Sequence, residues 1–121
     1  MRKTTRGLVA ISMMAALMMS VTACGKYNQL KARKNFKDAN ALYQQGEYRR
    51  AATEYELALQ QDPNLVVAYF YLGNSYDNLY KATRKGEAEN DKMLENAINN
   101  YKIAAERETD PKMKRLALQY L

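Results

Sequence analysis

Three segments of this chain repeat one spacing of apolar side chains, and that spacing determines the class of fold. In each segment the residues follow one another at intervals of three, one, three, three and one. This spacing places all six side chains on one face of an α-helix, whereas a strand would need strict alternation. The three stripes are Tyr48, Ala51, Ala52, Tyr55, Ala58 and Leu59; Tyr69, Leu72, Gly73, Tyr76, Leu79 and Tyr80; and Leu94, Ala97, Ile98, Tyr101, Ala104 and Ala105. We therefore predict an all-α fold.

Helix-breaking residues are few, so the places where they stand are informative. The chain has five Gly and two Pro, and the breaks fall at Gln45-Gly46, Asp62-Pro63-Asn64, Lys85-Gly86 and Asp110-Pro111. These breaks predict helices at about 30–45, 48–61, 65–83, 88–108 and 112–121. Connections this short force neighbouring helices to run antiparallel, so consecutive helices form hairpins.

The order of residues within these hairpins resembles a known repeat. Tyr69–Tyr76 is similar to the first-helix signature of the tetratricopeptide repeat (TPR), a 34-residue helix–turn–helix unit, with Tyr where Trp is usual. The residues Gly46, Glu47, Tyr48, Ala51, Tyr55, Ala58, Asp62 and Pro63 match its turn and second helix. Phe36 and Phe70 lie 34 residues apart, as do Asn40 and Asn74. The resemblance implies a TPR-like α-solenoid of antiparallel helix hairpins, in which small residues such as Ala51 and Ala97 are buried between helices.

The repeats are uneven. We assign the domain to residues 35–121, with repeat one at about 32–65, an expanded repeat two at about 66–111, and the start of a further helix at 112–121. Asn35 and Asp38 stand where a large aromatic residue and Leu are expected, so the first helix is degenerate. About 12 extra residues around 81–92 predict longer helices that meet at a polar tip near Gly86. The last helix is either a minimal cap or the front of a longer array, and we favour the longer array.

The first 24 residues carry an export pattern. Residues 1–7 hold three positive charges and no acids, and residues 8–19 are uncharged and apolar, as in a secretory signal peptide. The following Val21–Gly25 resembles the lipobox of bacterial lipoproteins. That resemblance implies diacylglyceryl transfer to Cys24, cleavage after Ala23 and fatty acylation of the new amino group in many species. It also implies an envelope protein, and Gly25 is similar to the pattern of outer-membrane sorting, facing the periplasm in two-membrane bacteria.

Charge helps to restrict the partners. Three of the 19 Lys and Arg residues and none of the 13 acids lie in the predicted leader, 1–23, so the mature chain carries only +3. This is too little to indicate nucleic acid. Five cations precede the first acid, Asp38: Lys26, Lys31, Arg33, Lys34 and Lys37. We interpret 24–34 as a lipidated linker, and its cations either contact anionic headgroups or are simply solvated.

The residues needed for catalysis are largely missing from the sequence. The chain has no His, and Cys24 is its only cysteine, so neither a His-dependent nucleophile nor a thiolate metal site can form. Glycine is too sparse for a phosphate-binding loop. We predict a non-enzymatic protein without cofactor or metal.

A binding module remains, and the TPR resemblance implies where partners bind. First helices of stacked units line a concave groove, whose candidate residues are Phe36, Asn40, Tyr43 and Gln44 in unit one and Phe70, Asn74, Asp77 and Asn78 in unit two. The asparagines could bond a peptide backbone; alternatively, the two Phe pack between hairpins and the asparagines are solvated. Replacing both asparagines with Ala is expected to change stability by less than about 0.5 kcal/mol.

Two functions stay open at this point. The first is a membrane-tethered scaffold that binds envelope proteins, for example during assembly of an outer-membrane or pilus complex. The second is a structural lipoprotein whose repeats self-associate into a homo-oligomer without a dedicated peptide ligand.

Overall fold

The computed structural model describes residues 24–121, and this part of the chain is helical without strands. The first helix, α1, covers residues 24–44. It is followed by α2 (Tyr48–Gln61), α3 (Val66–Leu79), α4 (Ala88–Arg107) and α5 (Pro111–Gln119), with a short 3-10 helix at Ala82–Arg84. The helices pack as a TPR-like helical repeat, which confirms the predicted fold class. The predicted signal peptide, 1–23, lies outside the described residues.

The helix α3 is central to the packing, since it contacts both α2 and α4. On one side Ala68 and Leu72 of α3 join Tyr55 of α2 in a buried cluster. On the other side Phe70 packs with Tyr101 of α4 in a second cluster that extends to α5. The helix α3 therefore packs both on its own hairpin partner, α4, and on α2 of the preceding unit, as stacked repeat units do.

Two turns depend on glycine. Gly46 and Gly86 adopt φ values of +78° and +96°, in the left-handed region that side chains disfavour. Gly46 ends α1 and sets up the hairpin to α2. At the start of α5, the Asp110 carboxylate accepts hydrogen bonds from the backbone N–H groups of Lys112 and Met113, which caps that helix. The structure thus confirms these predicted helix breaks.

The first helix includes more of the chain than the predicted 30–45, because residues 24–29 are also helical and the segment 24–34 is continuous with the rest of α1. The segment is rich in Lys, Arg, Gln, Leu and Ala and has no Pro, a composition that favours helix. The unexpected Asn35 also has a partner, since its amide donates to the Glu54 carboxylate of α2 at 3.0 Å. A polar contact therefore replaces the aromatic contact that the repeat pattern leads one to expect.

The inserted residues also fold differently from the predicted long hairpin. The helix α3 ends at Leu79 instead of 83, and the chain turns back through the 3-10 helix. Buried Asn90 organises this turn: its side chain accepts from the backbone N–H of Lys81 and donates to the carbonyls of Lys81 and Arg84, at 2.8, 2.9 and 3.0 Å. Of the two helices that flank the insertion, only α4 is lengthened. It has 20 residues, whereas the equivalent helix of the first unit, α2, has 14.

Small residues lie at the closest helix contacts. Ala51 and Ala97 are 0% and 1% exposed, which confirms the burial predicted for both. Each occupies the same position on the second helix of its unit.

Replacing Ala51 with Leu is expected to lower the free energy of unfolding by about 1–3 kcal/mol, because a larger side chain overpacks this contact. The measurement is urea denaturation followed by circular dichroism. Thr53→Leu on the exposed side of the same helix is the control, with an expected change within about 0.5 kcal/mol. Equal effects of the two variants would mean that the described register of α2 is wrong.

Candidate partner-binding groove

The eight predicted groove residues fall on two helices that occupy equivalent positions in successive units, α1 and α3. At their C-terminal ends the two helices are in contact, since the Asn78 amide donates to the Tyr43 hydroxyl at 3.3 Å. We call the surface formed by α1 and α3 the candidate groove. Its predicted members are Phe36, Asn40, Tyr43, Gln44, Phe70, Asn74, Asp77 and Asn78.

An aromatic floor joins the two helices. The ring of Tyr71 lies 6.0 Å from that of Phe36, 6.4 Å from that of Tyr43 and 5.5 Å from that of Phe70, measured between centroids. All three pairs are edge-to-face, an arrangement that aromatic rings prefer. Tyr71 was not among the predicted groove residues. Three consecutive aromatics at 69–71 could have revealed it, since adjacent helix positions are about 100° apart and cannot all face one core.

Phe36 and Phe70 have different environments. Phe70 is buried and contacts the ring of Tyr101 in α4 at 5.8 Å. Phe36 is half-buried and contacts Tyr55 in α2 at 5.6 Å. Phe70 also contacts the ring of Tyr120, just after α5, at 5.7 Å, so the interpretation that it packs between hairpins holds for Phe70. Phe36 combines packing with a partly exposed edge in the groove.

The two asparagines are part of the internal hydrogen bonding. The Tyr55 hydroxyl donates to the Asn40 side-chain oxygen at 2.6 Å, and the Tyr101 hydroxyl donates to that of Asn74 at 2.7 Å. Burial raises the pKa of both tyrosines, so each stays protonated as a donor. The same bond therefore links the first and second helix of both units. The alternative in which these asparagines are simply solvated is therefore wrong, because both accept hydrogen bonds from within the protein.

Replacing Asn40 and Asn74 together with Ala is now expected to cost about 1–3 kcal/mol of unfolding free energy, because two buried tyrosine hydroxyls lose their acceptors. Urea denaturation of the double variant measures this. Asn99→Ala, on an exposed position of α4, is the matched control. A double variant as stable as this control would contradict the assigned tyrosine–asparagine bonds.

The remaining predicted residues form a polar rim beside the aromatic floor. Gln44 and Asn78 are exposed. The Asn78 amide nitrogen donates to the Tyr43 hydroxyl and the Asn74 carbonyl, so its side-chain oxygen is the group that can accept from a partner, while the Gln44 amide can donate and accept. Asp77 is half-buried, with its carboxylate 3.5 Å from the Tyr101 hydroxyl. Partial burial raises the pKa of Tyr43, which keeps its hydroxyl protonated. A floor of rings with amides at its edge suits an extended or helical peptide, whose side chains pack while its backbone hydrogen-bonds.

A concavity lies between α2 and α4, away from the candidate groove. It is a cleft of about 190 Å³ lined partly by Arg49, Glu56, Glu89 and Lys92, and the Tyr76 hydroxyl donates to Glu56 there. The cleft is smaller than most ligand pockets, and its charges are of both signs. Within residues 24–121, no cluster of His, Cys, Asp or Glu is suited to hold a metal ion.

The comparison with protein families supports the repeat assignment. Residues 39–79 match the family model described as TPR repeat. This TPR segment starts in α1, contains all of α2 and ends with the last residue of α3. It includes every predicted groove residue except Phe36. No curated protein and no solved structure matches the chain.

The matched family has a general role in protein interactions. TPR repeats generally mediate protein–protein interactions, and proteins built from them are typically scaffolds rather than enzymes. None of the described helices is long and apolar enough to span a bilayer.

Proposed function

We propose that this protein is a lipid-anchored scaffold of a bacterial envelope that binds a protein partner through the candidate groove. Three observations support the proposal: the TPR match, the aromatic floor with its exposed amides, and the lipobox-like Val21–Gly25. The interaction role is inferred from the matched family, whereas the groove residues and the anchor are inferred from the residues of this chain.

The aromatic floor is the observation that carries the binding role. The half-buried rings of Phe36 and Tyr43 on α1 meet that of Tyr71 on α3, so one continuous surface crosses the boundary between the two units. Aromatic side chains contribute large contact areas to protein interfaces at low entropic cost. The amides of Gln44 and Asn78 lie at the edge of this surface, where a bound backbone would need partners.

The anchor is inferred from the N-terminal pattern. Cys24 is exposed at the start of the described residues, as acylation requires. In a bacterium with two membranes, the proposed location is the outer membrane, facing the periplasm. Assembly of an outer-membrane or pilus complex is the proposed setting.

The test compares two double variants, in each of which one Gln and one Asn are replaced by Arg. Gln44→Arg with Asn78→Arg places two cations in the candidate groove, while Gln60→Arg with Asn99→Arg places them on exposed positions of α2 and α4. Tagged proteins are cross-linked in intact cells and recovered from the envelope fraction. We expect the groove variant to lose at least one specific protein that the control retains, with both variants native by circular dichroism. Retention of every partner by a folded groove variant would refute the groove.

Self-association is the second candidate function, and the surface of α5 favours it. Leu118 is 54% exposed, and Leu121, just after the helix, is 51% exposed. An apolar surface of this kind could pair with a second copy of the chain. Sedimentation equilibrium distinguishes this function: a concentration-dependent dimer lost in Leu118→Gln supports it, and a monomer at all concentrations excludes it.

A further inference from the structure

The outward face of α1 carries an unusual concentration of positive charge. Within α1 the basic residues are Lys26, Lys31, Arg33, Lys34 and Lys37, and Asp38 is the one acid. Lys34 forms a salt bridge with Asp38 at 2.8 Å. In the described part of the chain the other four cations have no carboxylate within salt-bridge distance. The first helix therefore presents a strong positive potential.

Two exposed apolar side chains lie among these cations. Leu30 is 68% exposed and Tyr27 is 61% exposed. The Lys31 ammonium lies 5.6 Å from the centre of the Tyr27 ring. Leu30 and Tyr27 are among the most exposed large apolar side chains of the described protein, and both fall within the basic segment.

Helix geometry places this face opposite the repeat core. Leu30 is nine residues from buried Ala39, which is two and a half turns, so the two side chains point in opposite directions. Lys26 lies four residues before Leu30, Arg33 three residues after it and Lys37 four residues after Arg33, so all three lie on the same side of the helix. From residue 24 to residue 37 this face extends about 20 Å. The repeat domain lies behind it and leaves it open.

We infer that this face of α1, formed by Tyr27, Leu30 and the five basic residues, lies on the surface of an anionic bilayer. Long cationic side chains reach phosphate groups while their aliphatic stems lie on apolar surface. Leucine and tyrosine between them enter the headgroup region, where tyrosine is favoured. Anionic lipid attracts such a segment with a strength that grows with each cation.

The contact between α1 and the bilayer adds to the proposed anchor, because it sets the orientation of the repeat domain. An acyl chain alone leaves a protein free to rotate about its attachment point. A helix lying flat along about 20 Å of surface would hold the repeat domain in one orientation above the bilayer. The contact itself depends on charge and exposure and does not require acylation of Cys24.

The experiment uses a fluorescent reporter, since the natural chain has no Trp. The full chain with Leu30→Trp is expressed with its own leader and reconstituted in two kinds of vesicle. One is pure phosphatidylcholine, and the other contains about 30 mole per cent of the anionic lipid phosphatidylglycerol. We expect the Trp emission to shift to the blue and to be quenched by brominated lipid in the anionic vesicles only. Leu118→Trp, a similarly exposed position on α5, should give the same spectrum in both.

A charge variant tests the cause of the shift. Replacing Lys26, Lys31, Arg33 and Lys37 with Gln in the Leu30→Trp chain should lower the ratio of docked to undocked helix about fivefold per charge, hence several hundredfold in total. High salt should act in the same direction. An emission spectrum that is equal in both lipids, or that is unchanged by the four substitutions, overturns the inference.

An acidic protein is the competing partner for a basic face. Soluble polyglutamate therefore replaces the vesicles in a parallel titration. If it saturates the emission change while anionic vesicles produce none, the face binds protein and the bilayer inference is overturned. Mass spectrometry of the same samples reports acylation of Cys24 separately, so failure of the proposed anchor and failure of this contact are distinguishable.

Discussion

Tyr101→Ala is expected to lower the free energy of unfolding by about 3–5 kcal/mol, as removal of a large buried aromatic generally does. The ring is 1% exposed and packs against Phe70 and Tyr120, at 5.8 and 5.3 Å between centroids. It also fills the space above Gly73, where an added Cβ would lie 2.8 Å from the ring. Since small domains have only about 5–15 kcal/mol in total, much of the variant should be unfolded well below the parent's midpoint.

Two controls separate the ring from its hydroxyl. Tyr101→Phe keeps the packing and loses the bond to Asn74, so we expect a loss of about 1 kcal/mol. Tyr120→Ala removes a half-exposed ring at the far side of the same contact and should cost less than Tyr101→Ala. Urea denaturation measures all three. If Tyr101→Ala stays within about 1 kcal/mol of the parent, the described packing of α3 on α4 is incorrect.

Cys24→Ala is expected to abolish lipidation and, with it, the salt-resistant retention of the protein in the membrane. The chain has one cysteine, so no other thiol can accept the diacylglyceryl group. Two or three acyl chains, at about 0.8 kcal/mol per buried methylene, form an anchor that a single chain cannot. Cell fractionation with detergent phase separation should recover the parent in the detergent phase and the variant in the aqueous phase. Mass spectrometry should find acyl groups on the N-terminal peptide of the parent only.

Asn28→Ala, an exposed change four residues along the same helix, should remain lipidated. Any Cys24→Ala protein that still sediments with membranes should be released by high salt, because only the basic face of α1 would hold it. An unmodified Cys24 in the parent, or an N-terminus elsewhere, would contradict the proposed anchor.

The helix bounds show where sequence patterns suffice. The prediction of 48–61 for α2 is confirmed at both ends. The bounds were predictable because helix-breaking residues, Gly46 and Asp62-Pro63, flank a clear apolar stripe. The prediction for α3 runs four residues too far. Its stripe continues through Tyr80, but the chain leaves the helix there, and Asn90 holds the following turn through three backbone contacts. A tertiary contact of this kind leaves no periodic signal.

The groove shows the same limit. The 34-residue spacing correctly places Asn40 and Asn74 at equivalent positions, but spacing within one helix does not reveal which groups the neighbouring helix offers. The acceptor role of Asn74 depends on Tyr101, whose distance along the chain is changed by the insertion. Tyr55 and Tyr101 occupy equivalent positions on the second helices and are 46 residues apart, because the insertion lies between them. The bond becomes predictable only when the spacing of the asparagines and the spacing of the tyrosines are considered together.

Site-specific photo-cross-linking can locate a bound partner on the candidate groove. A benzophenone amino acid is placed at Gln44 or Asn78 in the candidate groove, and at Gln60 or Asn99 on exposed positions of α2 and α4. After irradiation of living cells, we expect a discrete cross-linked envelope protein from both groove positions and none from the two controls. Cross-links of equal yield from all four positions, or only from the controls, would contradict a partner-binding groove on α1 and α3.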